Sequence, residues 1–141
     1  MTVGAPKEIK EQESRIGLIP STARVLVSRG HTVLVEKSAG LGSGYPDEQY
    51  VDAGAEIVAA APEIFRRADM IVKVKEPQAT ESRLLRKGQI LFTYLHLAAS
   101  KPLTEALLQS GVTGVAYETI QMGNRLLLLE PMSEIDRKSV V

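Results

Sequence analysis

Short runs of β-branched and apolar residues alternate along this chain with segments of helical spacing, and that alternation constrains the fold more than any other feature. The runs are Thr2 to Ala5, Thr32 to Glu36, Glu56 to Val58, Asp69 to Lys75, Gln89 to Leu95 and Thr113 to Tyr117. Between the first two, Ser21 can cap a helix whose Ala23, Leu26 and Val27 share one face and which stops at Gly30. Further helices are expected over 47–53, 62–68, 80–87 and 102–110, the last with Gly111 behind it. A parallel strand pair needs a crossover long enough to hold a helix. The expected fold is therefore α/β: a mainly parallel, doubly wound sheet of Rossmann-like or flavodoxin-like type, with helices on both faces. Residues 120–130 read as a small hairpin around Gly123-Asn124, and Pro131 to Ile135 starts like a helix.

In an open parallel sheet, ligands bind beyond the carboxyl ends of the strands. That rule selects positions before any motif is recognised. The loop after the first strand carries Lys7 and Arg15, Lys75 ends the fourth, and His96 follows Tyr94-Leu95 directly. Arginine grips a carboxylate with two parallel hydrogen bonds, lysine holds a second charge or polarises a carbonyl oxygen, and histidine moves protons near neutrality. Such a set suits a small keto or amino acid. Each residue also has a plainer reading. Arg15 stands beside Glu11 and Glu13 and reads equally as a solvated ion pair. Lys73 and Lys75 share a strand face, and either reads as an edge lysine. His96 between leucines reads as a core histidine, Tyr94 as packing with a hydroxyl available to the site, and His31 as structural at the opposite edge.

Composition removes several other chemistries. The 141 residues contain no cysteine, which excludes disulfides, thiolate metal sites and a thiol nucleophile; no metal site is expected. Seventeen basic residues balance seventeen acidic ones, with no basic face for nucleic acid. The apolar tracts are too short to span a bilayer, and the first residues lack the pattern of a signal peptide, so a cytoplasmic protein is expected. Gly40-Leu41-Gly42-Ser43-Gly44 imitates a phosphate loop, but Tyr45 stands where the dinucleotide pattern needs glycine and Pro46 delays the helix. It reads as a flexible connection beside the crevice.

Several stretches together resemble one family. They are Val3 to Lys10, Glu13 to Leu18, Gly44 to Glu48, Asp69 to Pro77, Phe92 to Ala98 and Pro131 to Glu134. In order, and across residues 1–135, they are similar to the amino-terminal substrate domain of the alanine dehydrogenase and pyridine nucleotide transhydrogenase family. Tyr94 to Ala98 resembles the dehydrogenase branch rather than the transhydrogenase. The resemblance implies reversible oxidative deamination of L-alanine to pyruvate and ammonia with NAD. It implies that Arg15 clamps the substrate carboxylate, that Lys75 binds the carboxylate or carbonyl oxygen and takes part in catalysis, and that His96 is the general acid/base. Met132 and Ser133 would lie near the nicotinamide, and the assembly would be a homo-oligomer, hexameric in the family.

Family members continue past Ser133-Glu134 into a separate nucleotide-binding domain, whereas residues 136–141 here diverge from the pattern. The expectation is a substrate-binding half without its NAD-binding domain, inactive as an isolated chain. A non-catalytic ligand-binding or oligomerisation module, and a transhydrogenase nucleotide-subunit domain, are the competing readings.

Overall fold

In the computed structural model, residues 1–129 and 131 are described. Met132, Ser133 and the divergent residues 136–141 lie outside them, as does most of the helix expected to start at Pro131. Six strands form one sheet: β1 (Thr2–Ala5), β2 (Thr32–Glu36), β3 (Glu56–Val58), β4 (Met70–Val72), β5 (Ile90–Thr93) and β6 (Thr113–Ala116). Their order is β3-β2-β1-β4-β5-β6, and every pairing is parallel. The order reverses between β1 and β4, which is the point where doubly wound sheets open a crevice. A separate antiparallel pair, β7 (Gln121–Met122) and β8 (Arg125–Leu126), turns at Gly123 and Asn124 as the sequence implies.

The connecting helices are α1 (Pro20–Ser28), α2 (Asp47–Asp52), α3 (Ala61–Arg67), α4 (Ala79–Ser82) and α5 (Lys101–Ser110). The inner strands β1, β2, β4 and β5 are largely buried and read as apolar runs rather than alternating with polar residues, while the edge strand β6 is mostly exposed. Successive side chains of β2 show the division. Val33 and Val35 join Ala5, Ile16, Leu18, Ala23 and Tyr50 in one core, while Leu34 joins Ile64, Phe65, Ile71, Leu91 and Leu103 in the other. Gly4 lets α3 approach β1, because a Cβ there would stand 2.6 Å from Ile64 Cγ2 and 2.9 Å from Ala68 Cβ.

Tyr50, fully buried, donates its hydroxyl to the Leu18 carbonyl at 2.7 Å and so fastens the end of the β1–α1 connection. Tyr50→Phe would leave that carbonyl without its partner. A loss of about 1–2 kcal/mol is expected in a denaturant melt, the usual cost of one buried acceptor left unsatisfied.

Three sequence expectations need correction. Ser21 does not cap α1: the cap position is Ile19, without a side-chain bond, and Pro20 opens the helix with its preset φ. β4 ends at Val72 instead of Lys75, because the Lys75 N–H and C=O bond to side chains rather than to a ladder. The helix expected over 80–87 is a single turn, closed by a capping box between Gln78 and Glu81. Beyond it, the Arg86 N–H bonds to the side chain of Gln89. Gln89, fully buried, turns its own amide nitrogen onto the Phe65 and Ala68 carbonyls at the end of α3. These tertiary bonds replace the helical ones.

Candidate active site

The loop from β1 to α1 crosses the switch point and carries Glu8, Glu13 and Arg15. Glu13 shapes the last of these. Its carboxylate accepts the Arg15 main-chain N–H at 2.9 Å, the guanidinium Nε at 2.9 Å and Nη2 at 2.7 Å. The Arg15 side chain is 35% exposed and that of Glu13 only 6%, so the pair points a fixed guanidinium plane outward from a buried anchor. The Arg15 hydrogen bond is the main influence holding the Glu13 carboxyl below its usual range, and the nearby Lys75 ammonium adds to it. Arg15 and Lys75 thus act on the same carboxylate.

Lys75 stands just past the end of β4. Its N–H donates to Glu8 Oε1 at 2.8 Å, and its carbonyl accepts from Thr93 Oγ1 at 2.9 Å. The backbone is held from both sides while the side chain remains partly exposed. Lys73, read from sequence as an alternative to Lys75, has a different place. It is 1% exposed, with Nζ 2.9 Å from Glu8 Oε2 and 3.1 Å from Glu81 Oε2. Burial raises the Glu8 pKa despite the Lys73 ammonium beside it. Lys73 is therefore an internal counter-ion beneath Lys75.

His96 follows β5, the neighbour of β4. It is exposed, not the core histidine of the plainer reading, and its φ of 47° lies in the left-handed region that non-glycine residues seldom occupy. Glu118 holds it there by accepting the His96 N–H at 2.9 Å and the Leu95 N–H at 3.1 Å. The imidazole stacks on Tyr94 with ring centroids 5.0 Å apart, and Tyr94 meets Tyr117 edge-on at 6.1 Å. Burial raises the Tyr117 pKa first, and the Glu8 carboxylate adds to the shift, so the aromatic layer reaches back to the Lys75 side. The Tyr94 N–H bonds to the Val74 carbonyl, which sets the two strand ends side by side. A cavity of about 360 Å³ opens at His96, Leu97, Glu118 and Thr119, room for a small organic acid. The larger cavity, about 600 Å³, opens between α4 and α5, with Glu76, Pro77 and Ser100 in its lining.

The structure brings Arg15, Lys75 and His96 to the carboxyl ends of three adjacent strands. Lys7 is exposed, with its main-chain N–H on Glu36, and His31 lies near the chain's amino group. The ion pair read for Arg15 is present, with Glu13 as the partner, while sequence reasoning missed Glu8, Thr93 and Glu118. Glu8 and Thr93 lie inside the stretches that carry the resemblance; Glu118 is distant in sequence and only the β5–β6 pairing reveals it.

NAD does not fit the described residues. The connection after β1, where a dinucleotide pyrophosphate would need glycines and a helix amino terminus, is instead the Arg15 loop. The glycine-rich segment after β2 is a short 3-10 turn packed on that loop. A Cβ at Gly42 would stand 2.5 Å from the Ser14 carbonyl oxygen, and Ser43 Oγ donates to the same oxygen at 3.3 Å. The segment is a buttress for Arg15. Gly42→Ala would drive a methyl group into backbone, and an overpacking loss of about 1–3 kcal/mol is expected in a thermal melt. Among the described residues, no group of His, Asp and Glu could hold a metal ion, and no helix is long and apolar enough to cross a membrane.

Residues 4–136 match the family described as alanine dehydrogenase/PNT, N-terminal domain. The chain belongs to that family. It is 56% identical over 136 residues to an alanine dehydrogenase of Methanococcus maripaludis, covering 96% of this chain and 36% of that protein. It is 53% identical over 135 residues to an alanine dehydrogenase of Bacillus subtilis, covering 96% and 35%. A solved L-alanine dehydrogenase superposes with a TM-score of 0.93 at 53% identity, across 96% of this chain and 37% of that one. A transhydrogenase from Sinorhizobium meliloti gives 0.81 at 31% identity, across 87% and 35%. This alanine dehydrogenase/PNT domain thus spans about a third of the length of those relatives.

Proposed function

We propose that this chain is the substrate-binding part of an NAD-dependent alanine dehydrogenase, holding L-alanine or pyruvate in the crevice at the switch point. One observation carries the reading: Arg15, Lys75 and His96 follow the carboxyl ends of three neighbouring strands at the switch point, with a small cavity opening on the His96 side. Glu13 fixes the plane of the Arg15 guanidinium, which then meets the substrate carboxylate. The Lys75 ammonium binds the same carboxylate or the C2 oxygen, where it stabilises negative charge developing during reaction. The His96 imidazole exchanges the proton on the C2 nitrogen or oxygen: it takes a proton from the water that adds to the C2 imine. Ammonia leaves as the C2 hydroxyl so formed loses its proton and becomes the pyruvate carbonyl, the reverse direction retracing these steps. The nicotinamide cofactor supplies the redox half of the reaction, and a separate domain holds it. Met132 and Ser133 are assigned to the junction with that domain. A homo-oligomer is part of the same reading, with exposed Leu108 and Met122 available to such a contact.

Combining this chain with the nucleotide-binding portion of an alanine dehydrogenase tests the reading. NADH formation from L-alanine is expected only in the combination. Turnover by the 141-residue chain alone would show that the second domain is unnecessary, and no turnover in a folded, assembled combination would remove the dehydrogenase reading.

A further inference from the structure

The three residues of the site share a feature that the proposed chemistry does not require. Each places its main-chain N–H on a glutamate side chain. Arg15 N–H donates to Glu13 at 2.9 Å, Lys75 N–H to Glu8 at 2.8 Å and His96 N–H to Glu118 at 2.9 Å. All three residues lie outside the strands and helices, where the backbone has no repeating partner to fix it. A carboxylate is a strong acceptor for a backbone N–H, and charge-assisted bonds of this kind are shorter and stronger than neutral ones.

We propose that Glu8, Glu13 and Glu118 are positioning residues of the substrate site, each setting the backbone of one binding or catalytic side chain; this rests on the reading of the site given above. The geometry differs usefully among them. Glu13 holds both the backbone and the guanidinium of Arg15, so it sets loop and side-chain plane together. Glu8 shares itself between the Lys75 N–H and the buried Lys73 ammonium, and Thr93 grips the Lys75 carbonyl from the other side. Glu118 spans two successive N–H groups and stabilises His96 in a conformation with positive φ, where local strain persists only when surrounding contacts over-determine it.

Carboxylates accept backbone N–H groups elsewhere in the molecule too, which supplies a control. Asp69 Oδ2 accepts the Thr2 N–H at 2.7 Å, at the amino end of the sheet and away from the crevice. The test compares Glu8→Gln, Glu13→Gln, Glu118→Gln and Asp69→Asn in the whole chain. Pyruvate is titrated by calorimetry, thermal melts report stability, and nuclear magnetic resonance follows the main-chain amides of Arg15, Lys75 and His96. Each glutamine variant is expected to weaken pyruvate binding about tenfold and to displace the amide signal of its own partner residue, on the scale of one charge-assisted bond. Asp69→Asn is expected to lower the melting temperature without changing pyruvate affinity by more than about twofold, one hydrogen bond lost at no cost to the site. Glu8 also pairs with Lys73, so if that variant does not fold, Glu13→Gln and Glu118→Gln decide the matter. Pyruvate bound equally by the parent and those variants would overturn the positioning role while leaving the site reading intact. No pyruvate bound by the parent would overturn both.

Discussion

Lys75→Ala is expected to weaken pyruvate binding by about a hundredfold, or roughly 3 kcal/mol, while leaving the melting temperature within about 2 °C of the parent. The two halves of that expectation come from different atoms. On the proposed reading the Lys75 ammonium binds the substrate carboxylate or C2 oxygen, and truncating one partner of a close charge pair costs several kcal/mol. Its backbone, by contrast, is what the fold uses. The N–H on Glu8 and the carbonyl on Thr93 are both retained by alanine. Arg15→Ala is expected to match the loss in affinity but not the retained stability, because it strips the 6%-exposed Glu13 carboxylate of its bidentate partner. Calorimetric titration with pyruvate beside a thermal melt of each variant separates the two effects.

Lys73→Met is expected to be the most destabilising single change at the site. Lys73 is buried with two carboxylates, and breaking such a group by removing one partner costs about 3–5 kcal/mol. For a chain of this size that corresponds to a fall in melting temperature of roughly 10 °C or more. The pH dependence has a definite sign. Glu8 has a folded-state pKa raised above its ordinary value, chiefly by burial. The stability linked to it is therefore complete below the ordinary carboxyl pKa and is lost as pH rises through the raised one. Removing the neighbouring ammonium raises the Glu8 value further, so Lys73→Met should recover stability in acid and be weakest near neutrality. A triple variant, Lys73→Met with Glu8→Gln and Glu81→Gln, removes every buried charge of the group and is expected to regain part of the loss. Denaturant melts between pH 4 and pH 8 read both outcomes.

Much of the fold was legible because its inner strands are apolar and largely buried and every strand is flanked by turn or helix-end signals. Thr32 to Glu36 and Thr113 to Ala116 read as short runs with β-branched residues and form strands as expected, while Gly30 and Gly111 end the helices before them with positive φ. The placement of Arg15, Lys75 and His96 after the carboxyl ends of neighbouring strands was legible from the strand-end rule, which picked Lys7 with them, since topology decides which loops share an edge. Side-chain bonds to backbone were not. Lys75 looks like the last residue of a strand until Glu8 and Thr93 take its hydrogen bonds, and residues 83–87 look helical until Gln89 turns back to α3. Lys73 and Lys75 have the same period and differ only in which lies beneath Glu8 and Glu81. Pattern assigns a face to a residue; partners 65 or more positions away assign its burial.

The location of the small-acid site is the central claim, and chemical-shift mapping tests it most directly. Adding pyruvate to the isotope-labelled chain should move, saturably, the amides of Glu13, Arg15, Lys75, Leu95 and His96. The larger cavity between α4 and α5, lined by Gln78, Ser82, Ser100 and Leu103, is the rival position. Shifts confined to those residues, or no saturable shift anywhere, would contradict the account.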